Sequence, residues 1–452
     1  VTLSLNRLTA VLSKINQNAH DCPEQLYDIC SEMVRSIVVN YTKTLYRAIN
    51  NMRGSLTNPT LRLMTEIVTL QNGKHIDEFI SHFDFSLPSL PKLLIPSKAE
   101  LADVELTKTK NQHLTLRYNF IKFYAALISH SPAILRKDIL IDNSKLMSNW
   151  FKYISKIDSD DVINEAIDLL TNCIVKEPSF KKSTKCKIVN EYILLNLHKL
   201  YYNGNAKIAS KVNAFLILYS TDPVYGVAFE NHKSWTADVD ESSRQNNGAQ
   251  ITVHNKSFKL LNKILYTMLT QFKPWEDDTQ CTTVIKILKH IPEFVSPYSH
   301  YLMAAHGSHE PKMTSYWFGQ TLLLSKMIKL PIPQSVFELD FDSLPSMTVV
   351  LDNIMPLPIT KAVLKKCLSN EVKLVQQMGC QLTVFILQKL ANILDLYTLQ
   401  GWNKEKPALL NSVFGKLPEL SDFTSLLNET YTNNSDNKLL ILTITKILNL
   451  YS

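Results

Sequence analysis

The sequence predicts an all-α fold of stacked helical pairs, and three observations carry that prediction. Glycine is scarce, with 10 in 452 residues, near ~2% against the usual ~7%. Few glycines mean few tight hairpins, so helices ended by proline and polar residues are expected. Apolar residues recur at three-and-four spacing along most of the chain, the periodicity of amphipathic helices. Four such segments begin near residues 58, 111, 158 and 203, at intervals of roughly 45–53 residues, slightly longer than the ~40–47 residues of armadillo and HEAT repeats. The expectation is an armadillo/HEAT-like α-solenoid of about nine or ten helical pairs, running as one continuous array over residues 1–452.

The elements follow in order. Residues 1–50 are assigned to N-terminal helices. "NPTLRLMTEIVTLQNG" reads as a helix capped by Asn58, with Pro59 in its first position and Asn72-Gly73 at its close. "NQHLTLRYNFIKFYAALISHSP" places Leu116, Phe120, Phe123 and Leu127 on one face and stops at Pro132. "DSDDVINEAIDLLTNCIVKEP" has acids in its first turn, where the helix dipole favours them. "NGNAKIASKVNAFLILYSTDP" is the fourth. "SKLMSNWFKYISKI" and "KCKIVNEYILLNLHKLYY" supply partner helices. Residues 230–252, "ENHKSWTADVDESSRQNNGAQIT", are polar without periodicity and read as a mobile loop, with helices resuming at "FKLLNKILYTMLTQF". Residues 331–358 carry prolines at both ends and read as an extended belt. "PITKAVLKKCLSNEVKLVQQMGCQLTVFILQKLANILDLY" is a short helix ending at Ser369-Asn370. A long one follows, burying Val372, Val375, Leu382, Phe385 and Leu390.

Composition narrows the function. Lys+Arg 48 against Asp+Glu 41 gives +7, mild for a chain coated by nucleic acid. The excess is local, with 15 basic and 11 acidic residues in 101–200. Seven scattered cysteines, none in C-x-x-C spacing, suit a reducing compartment. No uninterrupted apolar run reaches the ~20 residues of a membrane span, and the opening residues do not read as a secretory signal. The Val1 start suggests a segment of a longer protein. No phosphate-binding loop, G-x-S-x-G or H-E-x-x-H is present. An enzyme, a cofactor and a metal are therefore not expected. His300, His306, His309 and Glu310 in "YSHYLMAAHGSHEP" are the best metal candidates, and an inter-helix loop is the preferred reading. Trp150, Trp275 and Trp317 fall at helical or helix-end positions and read as core rather than as base-stacking platforms. "VKEPSFKKSTKCK" offers Lys176, Lys181, Lys182, Lys185 and Lys187 around a loop, a candidate RNA or polyanion contact. The competing reading is a solvated loop tip.

"LRLMTEIVTLQNGKHIDEFISHFDF", followed in order by "RYNFIKFYAALI", "YWFGQTLLLSKMIKLPIP" and "PLPITKAVLKKCLSNEVKLVQQMGCQLTVFILQKL", resembles the large nucleolar pre-ribosomal-associated protein family. The resemblance spans roughly residues 55–395, with 1–50 and 400–452 matching only loosely. It implies the N-terminal part of a non-enzymatic scaffold, armadillo-like, in the nucleus and nucleolus, acting early in large-subunit (pre-60S) assembly and rRNA processing. It also implies partners: a second large helical scaffold, a DEAD-box RNA helicase, small nucleolar assembly factors, pre-rRNA and small nucleolar RNA. Ser81, His82, Phe83, Asp84 and Phe85 match the family's motif and read as a structural anchor. Besides RNA binding, two other readings stand: a protein-only interface, and a transport-receptor-like or adaptor array without a ribosomal role.

Overall fold

The computed structural model describes residues 1–18, 23–232, 234–236, 248–339, 343–433 and 437–451. The chain divides into two compact units, Val1–Val227 and Ala228–Ser452. Helices dominate both, as expected.

In the first unit, helices Thr2–Gln17, Gly54–Thr69, Leu116–His130, Asp160–Leu169 and Ala206–Thr221 pack in succession as one layer. Leu90–Leu93, Ser144–Ile157 and Glu191–His198 form a second layer against it. The first layer is cross-linked along its polar edge. Asn16 donates to Glu66 (2.7 Å), Arg62 to Asn119 (2.9 Å), Lys122 pairs with Glu165 (2.6 Å) and Lys211 with Asp168 (2.7 Å). Each link joins one helix to the next, so the cations of this edge are already engaged.

Pro59 lies within helix Gly54–Thr69 rather than at its start. Proline has no N–H to give the carbonyl four residues back. That carbonyl, on Ser55, accepts instead from the Thr2 hydroxyl (3.3 Å), and the Asn58 amide, freed from capping, donates to the Leu114 carbonyl (2.6 Å). Gln71, Asn72 and Gly73 all have positive φ (48°, 57° and 92°) and end this stretch in a left-handed turn. A Cβ on Gly73 would lie 2.8 Å from the His130 carbonyl, so only glycine fits there. "KCKIVNEYILLNLHKLYY" is not one helix. It breaks at Val189, and Asn190 caps the second piece through Ile193 N–H (3.1 Å).

Arg117 leads the aromatic helix and locks both layers. Its guanidinium, 4% exposed, meets Asp158 through two bonds (2.7 and 2.5 Å) and donates to the carbonyls of Trp150 (2.8 Å) and Leu94. Burial pushes the Asp158 carboxyl up, and the Arg117 charge opposes that without cancelling it.

The second unit repeats the layering. Asp278–His290, Ser315–Ile328, Lys373–Leu399 and Lys438–Tyr451 follow one another; Val295–His306, Met347–Ile354 and Lys406–Phe414 pack beside them. Two expectations change here. Part of the polar segment 230–252 is ordered: Trp235 is buried, and strand β1 (Ala249–Val253) pairs antiparallel with β2 (Lys256–Leu260). Residues 233 and 237–247 lie outside the described residues. "FKLL" is therefore strand before helix, and His254 and Asn255 (φ 47° and 60°) make the turn, the left-handed pair that a two-residue hairpin needs. The segment 331–358 is not an extended belt. It contains helices Gln334–Phe337 and Met347–Ile354, the latter burying Val350 and Ile354 between Pro345 and Pro356, while 340–342 lie outside the described residues. Helix Lys373–Leu399 is long and apolar enough to cross a membrane by length and composition alone. It packs against Ser315–Ile328 and Lys438–Tyr451 and buries Gln376 and Lys389, which is the pattern of a core helix.

Candidate functional site

The lysine run surrounds a loop that is built rather than loose. Helix Asp160–Leu169 widens into a π-turn over Leu170–Val175, closed by the Lys176 N–H on the Thr171 carbonyl (2.9 Å). Glu177 then accepts from the Ser179 hydroxyl (2.7 Å) and pairs with Arg136 (3.1 Å), whose other N–H groups hold the carbonyls of Ile128, Ser131 and Cys173. Burial pushes the Glu177 carboxyl up, but bonds from Ser179 and the charge of Arg136 outweigh it and hold the group below its usual range. Phe180 is buried beneath the loop, and helix Lys182–Ile188 begins directly after it.

Four of the five lysines stay toward solvent: Lys176, Lys181 and Lys187 are exposed and Lys182 is half-buried. Lys185 does not join them. It is 4% exposed, its ammonium donates to the Tyr225 carbonyl (3.1 Å), and burial lowers its pKa against the opposing charges of Glu177 and Asp222. On the seven-residue helix Lys185 shares a face with buried Ile188 three residues on, which a loop reading does not reveal. A second set of cations was missed. Lys145, Lys152 and Lys156 are exposed along helix Ser144–Ile157, and their i, i+7, i+11 spacing places them on one stripe.

The "SHFDF" motif anchors. Phe79, Phe83, Phe85 and Phe123 form a ring cluster with centroids 4.9–6.4 Å apart, joined by Tyr46 at 5.1 Å from Phe83. The Tyr46 hydroxyl donates to the His82 carbonyl (3.1 Å) and accepts from the Asp84 N–H. His82 turns back to Ser81 and the Glu78 carbonyl (3.0 Å each), whereas Asp84 accepts from Ser86 N–H (2.8 Å). Bonds from the Ser86 hydroxyl and N–H hold Asp84 below the usual carboxylate range. The two side chains are separately employed at a helix end, so the motif supplies no acid–base pair.

The histidines of 300–309 are likewise dispersed. His309 is 2% exposed, stacked on Trp317 (5.2 Å, 4°) and bonded to Gln320 (3.1 Å) and Thr321 (2.7 Å); burial lowers its pKa to about 4. His306 stands edge-on to Trp275 (4.3 Å), His300 contacts Asp352 (3.3 Å), and Glu310 pairs with Lys366 (2.6 Å). Among the described residues no three His, Cys, Asp or Glu side chains converge as a metal site would require.

What remains is a helical stack with a braced basic loop and no reaction centre assembled from the candidate residues. The Npa1 family model, described as ribosome 60S biogenesis N-terminal, matches residues 1–320. The chain belongs to this family. It is 43% identical over 424 residues to nucleolar pre-ribosomal-associated protein 1 of Saccharomyces cerevisiae, covering 94% of this chain and 24% of that protein. It thus spans about a quarter of that relative's length. Residues 1–50, expected to match only loosely, fall inside the family match. Among solved structures, an engineered protein aligns over 100% of this chain and 95% of its own at 12% identity with a TM-score of 0.28, a likeness that carries no argument.

Proposed function

We propose that the chain is a non-enzymatic scaffold in 60S ribosome biogenesis in the nucleolus, and that its first unit holds pre-rRNA at Lys176, Lys181, Lys182 and Lys187. Membership of the ribosome 60S biogenesis family supports the setting. The observation that carries the RNA contact is the contrast in how cations are used. Arg62, Lys122 and Lys211 of the first layer are tied to neighbouring helices, whereas the 176–187 loop is braced from beneath by Glu177, Arg136 and Phe180 and leaves Lys176, Lys181 and Lys187 outward. A fixed loop contacts phosphates with less ordering cost than a mobile one, and each contact adds a salt-dependent attraction. The remaining partners in this proposal are a second large helical scaffold, a DEAD-box helicase, small nucleolar factors and small nucleolar RNA, all held by geometry.

The test is in vivo RNA crosslinking of the tagged full-length protein, beside a Lys176→Glu, Lys181→Glu, Lys187→Glu variant that leaves Lys185 in place. Pre-rRNA crosslinks at 176–187 that disappear in the variant support the proposal. Crosslinks indifferent to the variant overturn the loop assignment. A complete lack of rRNA crosslinks favours the protein-only or adaptor reading.

A further inference from the structure

In the second unit, the C-terminal half of helix Lys373–Leu399 lines two adjoining cavities of about 430 and 560 Å³, which share Pro331, Ile332 and Asn392. The first is bounded by Lys329, Phe385, Lys389 and Leu450; the second by Phe337, Leu396 and Leu399, with the Asp395 carboxylate also on its lining. Lys389 is 6% exposed. Its ammonium donates to the Leu330 carbonyl and, among the described residues, has no carboxylate partner. Desolvation alone acts on it, and it lowers the pKa to about 8. Lys329 lies beside it, its ammonium 3.6 Å over the Phe385 ring. Phe337 (42% exposed) and Leu399 (74%) form an apolar rim, and Gln400 fixes that rim by donating to the Phe337 carbonyl (2.8 Å).

A buried ammonium without a counter-charge is costly, and Lys389 in the wall of this groove, with Lys329 at its exposed edge, defines what would relieve it. We propose that this groove is a docking site for a partner protein's acidic peptide segment, with one carboxylate against Lys389 and Lys329 and flanking aliphatic or aromatic residues along Ile332, Phe337, Leu396 and Leu399. Charge complementarity selects the acid, and the apolar walls select a peptide over nucleic acid. A phosphodiester chain would leave its charged oxygens against proline and leucine side chains that donate nothing. The combined volume suits a few extended residues. The site is independent of the lysine loop in the first unit.

The test is selection of a phage-displayed dodecapeptide library on the full chain, with the Lys389→Met variant as counter-target, then fluorescence anisotropy of the selected peptides. Expected peptides carry Asp or Glu flanked by Leu, Ile or Phe. Their Kd should rise at least tenfold with Lys389→Met, and equally when the peptide acid becomes its amide. Leu399→Asp, on the exposed rim where it does not disturb folding, should also weaken binding at least tenfold, and it carries the test if Lys389→Met does not fold. No enriched peptide, binding unchanged by these variants, or displacement by a uridine 20-mer would each overturn the proposal.

Discussion

Replacing Arg117 by methionine tests whether the first unit depends on a single buried charge. The guanidinium makes two bonds to Asp158 and donates to the Leu94 and Trp150 carbonyls, and both side chains of the pair are 4–5% exposed. Arg117→Met leaves Asp158 buried without its counter-ion, and such one-sided removal costs about 3–5 kcal/mol. Protection of the 144–157 helix should therefore fall by roughly 10²–10⁴-fold in hydrogen exchange read by mass spectrometry, a local measurement that avoids assuming two-state unfolding of a two-unit chain. The pH dependence has a definite sign. Burial raises the folded-state pKa of Asp158, so the folded state holds the proton more tightly than the unfolded one, and the variant loses stability as pH rises through the folded pKa. Arg117→Met should thus be less damaged at pH 5 than at pH 8. The double variant Arg117→Met, Asp158→Leu removes both charges and should recover much of the loss. A drop below about 1 kcal/mol, or a double variant as unstable as the single one, would refute the reasoning.

Further outcomes are expected. Lys181→Glu with Lys187→Glu should leave thermal stability within about 0.5 kcal/mol, whereas Lys185→Glu, which places a carboxylate against the Tyr225 carbonyl, should cost about 2 kcal/mol or more by denaturant unfolding. His309, with its pKa lowered to about 4, is neutral when buried, so the second unit should lose about 3 kcal/mol between pH 6.5 and 4; Trp317 fluorescence in wild type and His309→Gln would show whether the variant loses this dependence. Lys389, lowered to about 8, carries a penalty that is full below pH 8 and relieved as pH rises toward 10.5. Lys389→Met should accordingly stabilise the chain more at pH 7 than at pH 10, and guanidinium titrations at both would read it. Gly319→Ala would place a Cβ 2.2 Å from the Trp275 carbonyl and should cost about 2–3 kcal/mol by the same method.

Helix register was legible because it repeats locally. Ser144–Ile157 and Ala206–Thr221 lie where their apolar spacing and flanking polar residues put them. Pro59 misled because a proline in a first turn and a proline within a helix look alike until Thr2, far away in sequence, is seen to satisfy Ser55. The β-hairpin was missed because "NKSF" carries no glycine at its turn, and His254-Asn255 adopts left-handed geometry without one. Of the lysine site, the loop was readable, but the inward turn of Lys185 depends on a carbonyl forty residues later.

The sequence by itself determined the helical class, the family and the motif that anchors Phe79, Phe83 and Phe85, since these rest on local periodicity and on residue order. Only the tertiary structure decided which charges are free to act. Burial and pairing are set by residues distant in the chain, so identical lysines became a solvent-facing side chain at Lys181, a strut at Lys185 and, among the described residues, a buried ammonium without a carboxylate at Lys389. The physical reason is desolvation, which gives a charge its cost and its chemistry only once neighbouring helices have removed the water around it.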